Sequence, residues 1–258
     1  MSFYDFGPIA AVLDAAHGFV TGLAALLEPL VGAASAALAV VLVTVLVRAA
    51  LVPLGVSLVR TEFTRRRLAP KLAALQQKYK KRPEVLSQKM MEFYRDEKSS
   101  PFAGMMPALI QAPVLSIVYG LFIVGSINGH SNDLLGAELF RARLGDSLFA
   151  SFADPASLLV HCAVLVVVAV TAWFSRVTSL RFAATAPRLE GAPDAAPAMK
   201  NMAAVLSWLP FITVVFAAIV PLAAALYLAA STTWTLVERV ILRRMLAPKE
   251  PALLGVTA

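Results

Sequence analysis

One arginine in this sequence stands inside a long run of apolar residues. Arg48 lies within the block 31–59, and the next charged residue along the chain is Arg60. A charge at the centre of a bilayer costs roughly 2.5–3.5 kcal/mol on insertion scales, so such a side chain normally faces water or a partner. The long apolar blocks contain no Asp or Glu. The sequence therefore predicts no carboxylate partner for Arg48 and a hydrated, positively charged concavity around it.

The position of Arg48 within its block allows a second interpretation. Thr44 lies one turn earlier on the same helical face, which would add a hydroxyl to the concavity. The alternative is that the membrane helix ends near Arg48 and that the side chain reaches the cytoplasmic interface. Residues 31–47 precede the arginine, and a span needs about 17–25 residues. The length is therefore compatible with both interpretations.

Other polar residues also fall inside apolar blocks. Gln111 has an amide whose donors and acceptor need partners in hydrocarbon, so it either lines the same concavity or bridges two helices. Ser231 lies on the last apolar helix, where hydroxyl side chains commonly serve helix packing. Trp234, on the same helix, is also suited to the membrane interface. We treat all three as candidate contacts of the concavity.

Several enzyme classes have no signature in the chain. The sequence lacks GxSxG, a phosphate-binding GxxxxGK[ST] loop and HExxH. The polar run 129–133 contains Ser, His and Asp, but adjacent residues cannot form a nucleophile–base relay. A single cysteine, Cys162, cannot form an internal disulfide or a thiolate-rich metal site. We expect no enzyme activity, no metal and no cofactor.

Composition and patterning indicate an integral membrane protein. Hydrophobic residues make up 59% of the 258 residues, and the mean hydropathy is +0.74. Soluble domains are about 45–50% apolar. The last apolar stretch, 202–237, contains Pro210 and Pro221 and is too long for one ordinary span. It predicts two helices, although one long bent helix is the alternative. The five predicted spans are 31–59, 105–127, 157–177, 202–219 and 222–242.

The segments between the spans differ in character. Residues 1–30 predict an interfacial amphipathic helix, with a poorly ordered tail as the alternative. Residues 60–100 hold helical periodicity on either side of Pro83, which predicts a two-helix hairpin outside the membrane. Residues 128–156 form a polar loop. The fold class we predict is an all-α integral membrane protein, with a five-helix transmembrane core and a cytoplasmic helical hairpin.

Basic residues predict the orientation of the chain. Residues 60–98 contain 12 of the 23 Lys and Arg, whereas residues 1–30 contain none. The segments 176–200 and 239–258 contain four each, whereas the loop 128–156 contains two. Because cytoplasmic segments carry the excess of Lys and Arg, the N-terminus is expected outside and the C-terminus in the cytoplasm.

From residue 69 to residue 122 the chain reads APKLAALQQKYKKRPEVLSQKMMEFYRDEKSSPFAGMMPALIQAPVLSIVYGLF. This segment, from the hairpin into the second span, resembles the YidC/Oxa family of membrane protein insertases. The family pattern is a Pro-Lys helix, a Lys-Tyr turn, a second helix and a Pro-rich membrane segment. VRAALVPL around Arg48 resembles the first core span of the family, and PLAAALYLAAST resembles its last span. The resemblance covers about residues 32–245. The matching positions are Pro70, Lys71, Lys78, Tyr79, Met90, Met91, Tyr94, Pro101, Gly104, Pro107, Gln111 and Pro113.

The resemblance implies a function and roles for residues. It implies insertion of nascent membrane proteins through a hydrophilic groove that is open to the cytoplasm and the lipid of the bacterial plasma membrane. Arg48 would supply the groove charge and Gln111 a second polar contact, with Thr44, Ser231 and Trp234 beside them. Substrate would be recruited by hairpin residues, namely Lys71, Tyr79, Met90, Met91 and Tyr94.

The resemblance also implies partners for this chain, which differs from the family pattern at one position of the last span. The ribosome and the Sec translocon are the implied partners, with no small-molecule substrate. Leu228 stands where many members have Trp, and Trp234 lies about 240° away around the helix.

Two alternatives come from other classes of protein. One is a membrane-anchored scaffold that binds ribosomes or lipid, and the other is a small anion transporter that uses Arg48.

Overall fold

The computed structural model describes residue 4 and residues 6–100, 116–185 and 204–248. It confirms the predicted all-α membrane fold, since helices dominate these ranges. Gln111 and the Pro-rich part of the second span lie outside the described residues.

The N-terminal segment forms a helix that belongs to the core. Helix α1 (Gly7–Val31) packs along α2 (Ser35–Ala50). Its buried side chains Leu13, His17 and Val20 follow helical spacing, which is why one face of α1 meets the protein. A 3₁₀ turn at Gly32–Ala34 joins the helices, with Gly32 at a φ of 56° that suits glycine.

The block 31–59, predicted as one helix, is divided at Leu51. Helix α2 ends at Ala50, and α3 (Val52–Lys78) begins one residue later. Leu51 has φ −89° and ψ 2°, outside helical values. Pro53 in the first turn of α3 explains the break, because proline has no N–H for the helix ladder and its ring would clash with the Ala49 carbonyl in a continuous helix. Because the residues on both sides of Leu51 are apolar, hydropathy does not reveal this break.

The predicted hairpin region contains two packed helices. Helix α3 continues without interruption from the apolar block into the basic segment, and α4 spans Pro83–Asp96. A turn closes between them, where the Arg82 N–H donates to the Tyr79 carbonyl at 2.8 Å.

The loop after the second span is folded onto the helices. Helix α5 (116–123) leads into it. Buried Leu134, Ala142 and Leu144 join the hydrophobic core, so this segment is more than a polar connection. Its two short antiparallel ladders pair β1 (Ser126–Ile127) with β2 (His130–Ser131), and β3 (Glu138–Leu139) with β4 (Ala142–Arg143).

The last apolar stretch contains two helices, α7 (Ile212–Ile219) and α8 (Leu222–Met245). They follow α6 (Pro155–Ala184), against which both pack. The break at Val220–Pro221 has no polar side chain of its own. Instead, the loop supplies acceptors, because the N–H groups of Leu222 and Ala223 donate to the carbonyls of Asp146 and Leu144 at 2.8 and 2.9 Å. These bonds satisfy donors that begin α8.

Two helical stretches among the described residues have the length and apolarity to cross a membrane. They are Gly7–Ala50, which combines α1 and α2, and Pro155–Ala184; Ala204–Ile219 is a shorter apolar helix. Large apolar side chains are exposed along α6 and α7. Such outward surfaces suit contact with lipid.

Candidate functional site

A cavity of about 240 Å³ lies between α2, α3 and α8. Apolar side chains form most of its wall, and the charged and hydroxyl groups converge from α2 and α8. A hollow of this volume with polar groups in its wall is large enough for water molecules within a largely apolar helix bundle. The lining residues are Arg48, Leu51, Leu54, Gly55, Leu58, Val59, Thr235, Glu238, Arg239 and Leu242.

Arg48 reaches this cavity from the last turn of α2, just before the break at Leu51. Its Nε donates to the Ser231 Oγ at 3.1 Å, and its Nη2 contacts the same oxygen. Ser231 is buried, whereas Arg48 is half-buried. A guanidinium has five N–H donors. Within the described part of the chain, three of them have no hydrogen-bond acceptor and remain available in the cavity.

Glu238 is the residue that the sequence analysis missed. It lines the same cavity as Arg48, so the expectation that no carboxylate stands near the arginine was wrong. The uninterrupted apolar run ends at Val237, and the acid directly after it was overlooked although the predicted span 222–242 includes it. A signal was present, since Ser231, Thr235 and Glu238 are spaced by four and three and share a face of α8.

The Glu238 carboxylate is held by two features of the helices around it. Trp234 Nε1 donates to its Oε2 at 3.1 Å. Its Oε1 lies so close to Gly55 that a Cβ at that position would be 2.0 Å away. Among the described residues, Oε1 has no hydrogen-bond partner. The missing side chain at Gly55 therefore makes room for a carboxylate oxygen that remains free to accept.

The other predicted groove residues occupy different positions. Thr44 is buried, and its hydroxyl donates to the Val40 carbonyl at 2.7 Å, so it serves the backbone of α2. Ser231 binds Arg48 directly. Trp234 acts on the cavity through Glu238. Thr235, which the prediction did not include, lines the cavity.

The cavity carries more positive than negative charge. Arg48 and Arg239 face one carboxylate, Glu238. Arg239 also lies 3.7 Å from Glu62 of α3, an interaction partly exposed to solvent. Arg239 therefore has a carboxylate partner, whereas Arg48 hydrogen-bonds to the neutral Ser231 hydroxyl. Arg48 can still bind an anionic group.

In the hairpin, Lys71 connects the two helices. Its Nζ donates to the Glu97 Oε1 at 2.7 Å, and Arg67 lies 3.5 Å from the same carboxylate. Glu97 follows the last turn of α4. The hydrogen bond from Lys71 holds the pKa of Glu97 below its ordinary value of 4.5. The pair therefore links the end of α4 to α3 at neutral pH.

The remaining predicted hairpin residues differ in exposure. Met91 is 62% exposed, whereas Tyr79, Met90 and Tyr94 are half-buried. Tyr94 packs against Phe93 with ring centres 6.0 Å apart. Met91 is consequently the hairpin methionine whose adaptable apolar side chain is exposed.

The chain matches a known protein family. The family model described as "60Kd inner membrane protein" matches residues 26–249. The chain belongs to this family. The match covers the helices that line the cavity and the hairpin, and it confirms the resemblance to the YidC/Oxa family.

Curated relatives of this family share parts of the chain. A membrane protein insertase YidC of Clostridium perfringens is 36% identical over 111 residues, which are 43% of this chain and 45% of the relative. A protein of the same name from Zymomonas mobilis is 29% identical over 193 residues, 73% of this chain and 30% of the relative. The chain thus spans less than half the length of the relatives it matches.

The position of Glu238 against Gly55 gives a first prediction. In Gly55→Ala the new methyl group would displace the carboxylate and break its hydrogen bond with Trp234. The helix itself should tolerate alanine, which is favoured over glycine by about 1 kcal/mol. We expect the NMR signal of the Trp234 indole N–H, assigned by its loss in Trp234→Phe, to shift toward that of a free indole.

The control is Gly22→Ala in α1, where an added Cβ meets nothing within 4 Å. This variant should leave the Trp234 signal in place. An unchanged signal in Gly55→Ala would contradict the contact between Gly55 and Glu238.

The Lys71–Glu97 pair gives a second prediction, on pH. Because folding lowers the pKa of Glu97, its contribution is complete above the ordinary value of 4.5 and is lost as the pH falls through the lower folded value. Spin labels on Ala74 and Ser87, in a Cys162→Ala background, should give a narrow distance distribution at pH 7. This distribution should broaden when the pH falls below the folded pKa of Glu97.

Lys71→Gln removes the donor, so its distribution should be broad already at pH 7. Lys80→Gln changes an exposed lysine in the turn and should behave like the parent. Identical distributions for Lys71→Gln and the parent at pH 7 would show that the pair does not hold the hairpin together.

Proposed function

We propose that this protein is a membrane protein insertase, and that Arg48 supplies the charge of its substrate groove. The observation that carries the proposal is the half-buried guanidinium bound to the Ser231 hydroxyl within a cavity between apolar helices. Membership of the family and the names of the relatives point to the same activity.

The physical task of an insertase is to lower the barrier for a polar segment crossing the membrane. Moving a charge into hydrocarbon costs several kcal/mol, which water and fixed partners inside a protein reduce. The free N–H donors of Arg48 would pair transiently with an acidic side chain of the segment in transit. Its apolar segment would then move into lipid, where burial of about 20 apolar residues retains it.

A groove of this kind must bind its substrate weakly enough to release it. Arg48 is held by a neutral hydroxyl, so a substrate carboxylate gains a charge-assisted bond without first breaking an ion pair. Glu238 lines the same cavity and would favour release, because its carboxylate competes with the substrate carboxylate for the guanidinium. The cycle proposed here has no covalent step and uses no nucleotide or cofactor.

The hairpin would act before insertion. Its exposed basic side chains suit the phosphates of ribosomal RNA or of anionic lipid, and exposed Met91 suits an apolar segment of a nascent chain. We propose the ribosome and the Sec translocon as partners. We also propose an N-terminus outside the bacterial plasma membrane and a C-terminus in the cytoplasm, which follows from the distribution of Lys and Arg.

The test is insertion into liposomes that contain the purified protein and no nucleotide. The substrate is a small single-span protein with an acidic outer segment. We expect Arg48→Ala to reduce the insertion rate roughly ten- to a hundredfold, because a hydrogen bond to a charged group contributes about 1.5–3 kcal/mol. Arg48→Lys should retain partial activity, since it keeps the charge and loses the planar fork.

The matched control is Arg60→Ala, which removes an exposed arginine from α3 outside the cavity wall. It should insert substrate like the parent. A substrate whose outer acids are changed to amides should be insensitive to Arg48→Ala. Equal insertion of the acidic substrate by all variants would contradict the role of Arg48, and insertion no better than in empty liposomes would contradict the insertase function.

A further inference from the structure

A second arginine site lies away from the cavity, where α6 and the helical segment before α7 meet. Arg176 of α6 places its guanidinium carbon 4.2 Å from the centre of the Trp208 ring and 5.9 Å from that of Trp173. Its Nε donates to the Ser207 Oγ at 3.2 Å. None of these residues lines the cavity around Arg48.

The orientation of Arg176 leaves part of it free. The Ser207 hydroxyl accepts the hydrogen bond from Nε, and the Trp208 indole lies within cation–π distance of the guanidinium. In the described ranges, the terminal nitrogens Nη1 and Nη2 have no hydrogen-bond acceptor. Together they present four N–H groups, the arrangement that binds a phosphate with two parallel hydrogen bonds.

Two exposed apolar rows begin at this arginine. The first row lies along α6 and consists of Trp173, Val170 and Val166, each at least 48% exposed. The second row, from Trp208 through Ile212, Val215 and Ile219, is at least 50% exposed. The spacing of each row follows one helical face. The rows are apolar and uncharged, so they suit acyl chains rather than water.

We propose that Arg176 binds the headgroup phosphate of an anionic phospholipid, whose acyl chains lie along these two rows. Tryptophan and arginine together are typical of the membrane interface. Arg176 is the first Lys or Arg of α6, directly after an uncharged run, which puts it at the depth of a headgroup. The inference needs only that the chain lies in a membrane, and it is independent of the insertase activity.

The tryptophans of the site provide the measurement. The chain has three, and Trp234→Phe leaves only the two beside Arg176. This protein is reconstituted in phosphatidylcholine vesicles with a small, equal fraction of either brominated phosphatidylglycerol or brominated phosphatidylcholine. Bromine quenches tryptophan on contact. We expect the anionic lipid to quench with roughly fivefold higher apparent affinity, the gain that one basic residue near the surface provides.

Variants separate a lipid site from general attraction to a basic protein. In the same background, Arg176→Gln should abolish the preference for the anionic lipid, and Arg176→Lys should reduce it. Arg181→Gln, five residues further along α6, should preserve it. Added inorganic phosphate should not compete, because it lacks acyl chains for the apolar rows; competition would assign the site to a free anion instead.

Besides competition by phosphate, two results would overturn the proposal. One is equal quenching by the two brominated lipids in the parent. The other is an undiminished preference for the anionic lipid in Arg176→Gln or, if that variant does not fold, in Arg176→Lys, which keeps the charge and loses the planar fork.

Discussion

A guanidinium among apolar helices needs polar partners, and the cavity is arranged around this requirement. The break at Leu51 ends α2 immediately after Arg48, so that α3 starts as a separate helix on the other side of the hollow. Ser231 provides the hydroxyl, and Gly55 leaves the room that the Glu238 carboxylate occupies. A longer side chain at either of these small residues would fill space beside Arg48 and Glu238.

The opposite end of α8 is closed by backbone hydrogen bonds. The loop carbonyls of Asp146 and Leu144 accept from the first N–H groups of α8, and buried loop side chains pack above the helices. Such a layer leaves few unpaired backbone groups at this end. A bundle packed at one end and hollow near the other supports the proposal that a substrate segment enters from one side of the membrane and leaves sideways into lipid.

Sequence reasoning recovered the helical membrane fold because long apolar blocks and 3.6-residue periodicity are local signals. It also identified Arg48, whose charge is conspicuous among apolar neighbours. Glu238 escaped because it adjoins the end of an apolar block, and only the approach of α3 to α8 brings it beside Arg48. Thr44 shares the helical face of Arg48, yet its hydroxyl donates to the Val40 carbonyl of its own helix. Residue spacing does not reveal this hydrogen bond. The folded loop 126–145 likewise depends on contacts distant in sequence.

The proposed groove requires that water reaches the Arg48 cavity within the membrane, which the reactivity of thiols placed in the cavity can measure. In a Cys162→Ala background, Thr235→Cys faces the cavity, whereas Val237→Cys lies at nearly the same depth on the exposed face of α8. Thiols react as thiolates, which form in water and not in hydrocarbon. In membrane vesicles, a charged, impermeant maleimide should label Thr235→Cys from the cytoplasmic side and leave Val237→Cys unmodified. Protection of Thr235→Cys, or equal labelling of both, would contradict a hydrated cavity.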